Sequence, residues 1–388
     1  MSELTRLGDV VDLLTGFPFK SAEFVGEPDG IQLLRGDNIG HGTLRWDGAK
    51  YWPVDQVSDF QKYTVALGDV ILAMDRPWIS SGLKWAEVRE VDLPCLLVQR
   101  VARLRATGPL EQSFLPYLIS GKQFSDYVQG VQTGTAVPHI SSTQIADFRF
   151  HCPSRRDQQA ISAALRALDE RIAVNERIAA TADELAGLLF RGCSDLAPRT
   201  ITDVADITMG QSPPGETYNE TGDGLPFYQG TRDFGIRYPR RRVWCTAVTR
   251  YANENDVLVS VRAPVGEINV AAEECGIGRG VAAVRSSRYP HVLLHALASD
   301  KSVWHPYEAE GTVFGSINKK QFSQLELSWP SEPHIDALEA RLTALDDRLR
   351  QAVEESGTLA TLRDSLLPQL MSGRLRVKDA KRIVEDHV

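Results

Sequence analysis

Two stretches of this chain place apolar residues at alternating steps of four and three. In the first, Ile161, Leu165, Leu168, Ile172, Asn175, Ala179, Ala182, Ala186 and Leu189 keep that rhythm. In the second, Leu338, Leu342, Leu345, Leu349, Ala352, Ser356, Leu359, Arg363 and Leu366 do the same. A mean step of about 3.5 residues is the seam of a coiled coil. The pattern predicts two long helices, each on the order of 50 Å at ~1.5 Å per residue. Ala179, Ala182, Ala352 and Ser356 are small enough for close backbone approach. Asn175 breaks the apolar run where its counterpart is Ala352, and a buried Asn in such a seam fixes register and pairing at some cost in stability.

Outside these stretches the periodicity changes. Short runs such as DVILAM, LVQRVARLRA, DVLVSV and VAAVR, punctuated by Gly, Pro and Asn, read as strands. SFLPYLISGKQFSDYV and HVLLHALASDKSVW read as one helix in each half of the chain. The halves are copies. GTAVPHISSTQIADFRFHCP (134–153) and GTVFGSINKKQFSQLELSWP (311–330) match at Gly134/Gly311, Thr135/Thr312, Ile140/Ile317, Gln144/Gln321 and Pro153/Pro330, an offset of 177. LRALDERI and LTALDDRL continue that offset without a gap. Earlier, Asp9/Asp203, Gly16/Gly210, Gly30/Gly224 and Gly36/Gly230 stand 194 apart, and Asp69/Asp256 and Pro77/Pro264 stand 187 apart. A shrinking offset means that the first copy carries the longer insertions. Periods this long indicate a duplicated domain and not a solenoid.

The expected fold class is α+β. A globular α/β domain spans 1–153, a helix 154–193, a second α/β domain 194–330, a second helix 331–376 and a polar tail 377–388. Hydrophobic content of 43% and charged content of 24% are ordinary for a globular protein. The net charge of −8 changes the picture more. An acidic chain binds DNA poorly without local basic patches or partners. Five cysteines with no CxxC spacing predict free thiols in a reducing cytoplasm. The opening MSELTRLGDVVDLLTG shows no signal-peptide pattern, and no apolar run approaches the ~20 residues of a membrane span.

The order of domain, LxALDxRI-type helix, domain, helix resembles the specificity subunits of type I restriction–modification systems, and the resemblance covers almost the whole chain. Blocks 134–172 and 311–349 carry it most strongly, with GDVILAMDRP and NDVLVSVRAPVG similar to a recurring strand and loop of that family. The resemblance implies two target recognition domains, each reading half of a bipartite site on double-stranded DNA. It also implies an antiparallel helix pair that sets the spacer, gives the chain pseudo-twofold symmetry and docks two methyltransferase subunits. Those partners would carry S-adenosylmethionine and modify adenine N6, and motor–nuclease subunits using ATP and Mg would join them for restriction. The chain itself would be non-catalytic. The coil seam, and with it partner docking, is expected along Ile161, Leu165, Leu168, Ile172, Asn175, Leu338, Leu342, Leu345 and Leu349.

DNA contacts are expected where basic side chains interrupt the acidic background. TRDFGIRYPRRRVW carries Arg232, Arg237, Arg240, Arg241 and Arg242 with interleaved aromatics. Arginine suits phosphate clamping and bidentate guanine readout. The matching stretch of the first copy offers Arg35, Asn38, Arg45 and Lys50. Asn38 suits bidentate pairing with adenine, or equally an Asp-Asn turn. Gln229 faces Arg35 across the repeat, a change of type at a matched position.

Rival readings are a stand-alone DNA methyltransferase or nuclease, and an architectural coiled-coil adaptor. QSPPG (211–215) approaches an amino-methyltransferase signature but has Gly215 where an aromatic is needed. GIGRG (276–280) leads into a strand and not a helix, so it offers no helix N-terminus to a phosphate. HVLLH (291–295) lacks the glutamate of a zinc-protease helix, so core or surface histidines are expected there and no metal site.

Overall fold

A computed structural model describes residues 4–79, 81–134, 138–308 and 315–387. Of the matched repeat positions, Thr135, Gly311 and Thr312 lie outside the described residues. The long helices run Arg155–Arg191 and Glu332–Met371. The chain divides into two compact units, one of Met1–Ala173 with Ser356–Val388, the other of Val174–Glu355. The division falls within both helices, so each globular domain is one body with the helix halves beside it.

In the first unit four antiparallel strands lie in the order Val11–Thr15, Val101–Ala106, Val70–Ala73, Trp85–Glu87. The strand Val70–Ala73 is buried at every position, so its VILA run shows no alternation. A second sheet places Gly30–Leu34 between antiparallel Lys50–Pro53 and parallel Cys95–Leu97. The single helix expected from SFLPYLISGKQFSDYV is two, Leu115–Ser120 and Lys122–Val131, because Gly121 adopts an extended conformation.

The second unit repeats the ladder in the order Asp206–Met209, Val281–Arg285, Val257–Ser260, Ile268–Val270. Leu225–Tyr228 again runs parallel to Cys275–Ile277. The duplication extends to single hydrogen bonds. Gly16 N–H donates to Val101 O and Gly210 N–H to Val281 O; Met74 N–H donates to Arg100 O and Val261 N–H to Gly280 O. The matched glutamines close the same capping box twice, Ser141 with Gln144 and Asn318 with Gln321.

Each core continues onto the helices. In the first unit Ile161, Leu165 and Leu168 join Leu359, Leu366 and Leu370 in one buried cluster, with Ile172 at its edge. In the second, Ala186 and Phe190 cluster with Leu338 and Leu342, and Leu345 lies at the edge. Ala179 and Ala182 cluster with Leu349 and Ala352. Rising numbers on one helix meet falling numbers on the other, so the packing is antiparallel. Asn175 is 0% exposed, and neither atom of its amide bonds to another described protein group. The C-terminal segment differs from the expected polar tail. Val377–Glu385 is an amphipathic helix that puts Ala380 and Val384 into the first unit's core.

Candidate nucleic-acid interface

The second unit contains a cavity of about 450 Å³ whose rim carries Gln229, Arg232, Arg242, Arg262 and Arg279. All five are exposed. The acidic residue lining it is Asp233, 5% exposed, which accepts the Gln229 N–H at 3.3 Å and Arg242 Nε at 3.0 Å. Four guanidinium groups against one carboxylate make a local positive field in an acidic chain, the setting in which a concave wall focuses potential on an anion.

Backbone crowding explains why these residues converge. A Cβ on Gly280 would sit 2.1 Å from Gln229 O, and one on Gly210 would sit 2.1 Å from Gly278 O. The glycines of GIGRG therefore let three backbone segments touch, which brings Arg279 alongside Gln229. Ser212 of QSPPG lies on the same rim, and its Oγ accepts the Arg279 N–H at 3.2 Å. The two segments with weak enzyme-like patterns thus line an arginine cavity.

The basic run 232–242 divides. Arg232 and Arg242 line the cavity, Arg240 is exposed outside its lining, and Arg241 pairs with Glu273. Arg237 is a correction to the expected DNA-contact set. It is 8% exposed and turned inward, donating to Asp183 of the first long helix with Asp346 of the second 3.9 Å away. Arg262 and Arg279 escaped the sequence reading because each is a lone arginine, in VRAP and GIGRG; only the fold adds them to the cluster.

In the first unit, Arg35 is partly buried and pairs with Asp37 at 3.2 Å, while Arg45 and Lys50 are exposed. Asn38 is the second correction. It is 5% exposed, its Oδ1 accepts the Arg35 N–H and its Nδ2 donates to Arg45 O, each at 2.9 Å. Its amide is buried and closes the turn, which directs it away from a base. Matched hydrogen bonds make Asp75 the counterpart of Arg262 and Gln99 that of Arg279. Asp75 receives Arg100 and His139. Burial would raise the Asp75 pKa, but the hydrogen bonds from Arg100 and His139 outweigh it and hold the carboxyl below its usual range. Nearby Lys84 donates to Gly36 O, and burial pulls its pKa down. Exposed Arg76, at φ 43°, has a left-handed backbone that is uncommon for a non-glycine residue. Equivalent places in the two units thus present different chemistry.

HVLLH also finds a role. His291 bonds Asp346 at 2.8 Å and His295 bonds it at 3.2 Å, so both histidines face a carboxylate of the second long helix. Asp346 matches Asp169 of the first helix, which accepts Tyr117 Oη at 2.8 Å and Arg363 Nη1 at 2.9 Å. The shared Asp of LRALDERI and LTALDDRL fastens a domain to a helix in both copies.

No family model matches the chain. A 174-residue stretch is 33% identical to the putative type I restriction enzyme MjaX specificity subunit of Methanocaldococcus jannaschii, covering 44% of this chain and 41% of that protein. A 160-residue stretch is 36% identical to the type I restriction enzyme EcoAI specificity subunit of Escherichia coli, covering 41% and 27% respectively. Over these stretches the chain is similar to type I restriction specificity subunits. The matched stretches span less than half of either relative's own length. The crystal structure of a type I restriction–modification S subunit from M. genitalium aligns over 95% of this chain and 96% of that one, with a TM-score of 0.59 at 16% identity. Specificity subunits and this chain therefore share the architecture of two α/β domains with paired long helices. Among the described residues, no group of three or more His, Cys, Asp or Glu is placed to hold a metal ion.

Proposed function

We propose that this chain is the DNA-recognition subunit of a type I restriction–modification enzyme. Each unit reads one half of a bipartite duplex site, and the paired helices set the unread gap. The observation that carries the reading is the change of side chains at matched positions of a duplicated fold. Arg262 and Arg279 in one unit stand where Asp75 and Gln99 stand in the other. Two readers with one backbone and different contact groups suit two unlike half-sites.

Recognition follows from the chemistry of the rims. Arginines of the second unit can clamp phosphates or bond guanine O6 and N7, and Gln229 can bond adenine N6 and N7. The first unit would use Arg35, Arg45, Lys50 and the Asp75 cluster. The chain supplies address, not catalysis. Two methyltransferase subunits would carry S-adenosylmethionine and methylate adenine N6, and two motor–nuclease subunits using ATP and Mg would complete a restricting complex in the cytoplasm.

A second heptad stripe supports partner docking. Val174, Ile178, Thr181, Leu185 and Leu188 follow four-three spacing beside the seam, and Leu185 and Leu188 are 45% and 53% exposed. With Leu345, residues of this stripe line a groove of about 520 Å³. Such a face suits a partner helix.

Co-expression with a cognate methyltransferase tests the reading: the purified complex should contain one copy of this chain to two of the partner. Adenine-methylation mapping with and without the gene should reveal one split site. Replacing residues 1–153 with the first domain of a relative should alter only one half of it. A chain that assembles with no methyltransferase and leaves methylation unchanged overturns the proposal.

A further inference from the structure

The segment carrying Gln229, Arg232 and Arg242 at the cavity reaches the long helices a few residues away. Ile236 is 81% exposed, yet its neighbour Arg237 is 8% exposed. Burying a guanidinium is costly unless charges and hydrogen bonds compensate it. Here Asp183 receives it and Asp346 stands 3.9 Å off, while the Arg237 backbone is tied separately, its O accepting the Val270 N–H at 2.9 Å. Asp346 is itself 6% exposed and held by His291 and His295. On either side, Gly235 bonds the Asn269 side chain, and Tyr238 packs against the Ala179–Ala352 cluster with Arg350 over its ring.

We propose that Arg237 is a positioning residue: it ties the cavity-forming segment to both long helices and so fixes where the second recognition surface stands along the spacer. This rests on the reading of the chain as a DNA-recognition subunit. A residue that merely filled the core could be replaced by an apolar side chain of similar volume with neutral or favourable effect on stability. A positioning residue could be replaced without loss of stability but not without loss of selectivity, because its ion pair with Asp183 aims a segment whose far ends must meet DNA.

The test uses the full chain with its methyltransferase partner, comparing parent, Arg237→Met, Arg237→Lys and Asp183→Asn. Arg237→Met is expected to keep the melting temperature and first half-site selectivity, but to lose about tenfold in second half-site discrimination and to tolerate altered spacers. Arg237→Lys should recover part of the loss, and Asp183→Asn should reproduce part of it. Hydrogen exchange on the full chain alone gives an arm independent of function. In Arg237→Met, amides of 231–242 should exchange faster while the sheet Val257–Ser260 and Val281–Arg285 is unchanged. Unaltered exchange in 231–242 overturns the proposal, as does unaltered discrimination and spacer choice in a complex whose parent is selective. A parent complex with no site selectivity sinks the functional reading, and the exchange arm then still decides whether Arg237 anchors the segment.

Discussion

Arg285 donates two hydrogen bonds to Asp256, Nε to Oδ1 and Nη2 to Oδ2, both at 2.7 Å. Asp256 is 4% exposed and also accepts the Asn253 N–H at 2.8 Å. Arg105 makes the same two-pronged contact to Asp69 in the other unit, where Ala66 N–H supplies the third bond. The pair joins adjacent strands of the four-stranded sheet twice over. Asp256→Ala should destabilise the second unit by about 2–3 kcal/mol, since it removes the charge-assisted bonds of a buried carboxylate. Calorimetry or denaturant unfolding checks this, and Asp69→Ala should act likewise on the first unit.

The arginine cavity predicts a graded effect on DNA. Arg262→Ala with Arg279→Ala should weaken binding and shrink the salt slope by ~0.9 for each phosphate left without its guanidinium. Arg241→Ala, whose guanidinium pairs with Glu273, should do less. Affinities measured over a salt series separate the two.

The histidine pair predicts a pH dependence. Burial alone would lower the His291 pKa; the hydrogen bond and charge of Asp346, with Glu339 and Asp347 nearby, more than offset that and raise it above 6.5. Arg237 faces the same carboxylate. For Asp346, burial would raise the pKa, and the hydrogen bonds from His291 and His295 bring it well below the usual carboxylate range. A raised histidine stabilises fully below its unfolded value and loses that contribution as pH rises through the folded one; a depressed aspartate stabilises above its unfolded value and loses that as pH falls. Second-unit stability should therefore decline as pH rises above about 6.5, through the raised His291 value. Unfolding of His291→Gln across that range should show a flatter profile than the parent.

Among the described residues, the buried amide of Asn175 bonds to no protein group. Asn175→Leu should stabilise the helix pairing by about 1–2 kcal/mol, because it replaces a buried amide that bonds to no described protein group with an apolar side chain. If the amide fixes register, the same variant should relax spacer choice in methylation mapping. Higher stability with an unchanged spacer would assign Asn175 no such role.

Much of the architecture was legible from linear order. Heptad steps through Leu165, Leu168, Leu338 and Leu342 exposed both helices, because a helix buries a fixed angular stripe and that stripe must recur in the chain. Matched blocks disclosed the duplication, and Gln144 and Gln321 proved to match because each closes a capping box. These are local or periodic constraints, and they leave their mark on neighbouring positions. The site was less legible. Arg237 and Arg232 look alike in sequence, yet one is buried on Asp183 and the other rims the cavity. Asn38 suited a base reader and a turn equally in sequence, and its buried amide closes the turn.

The sequence by itself determined that the chain is written twice, that each copy ends in a seam-bearing helix, and that its basic side chains cluster against an acidic background. Only tertiary structure decided which arginines face solvent together, since Arg262 and Arg279 join Gln229 through backbone contacts between segments far apart in the chain. It also decided that the C-terminal helix completes a core and that HVLLH serves a helix carboxylate. Local pattern follows from backbone geometry, whereas a side chain's role follows from the charges and surfaces that distant segments bring to it.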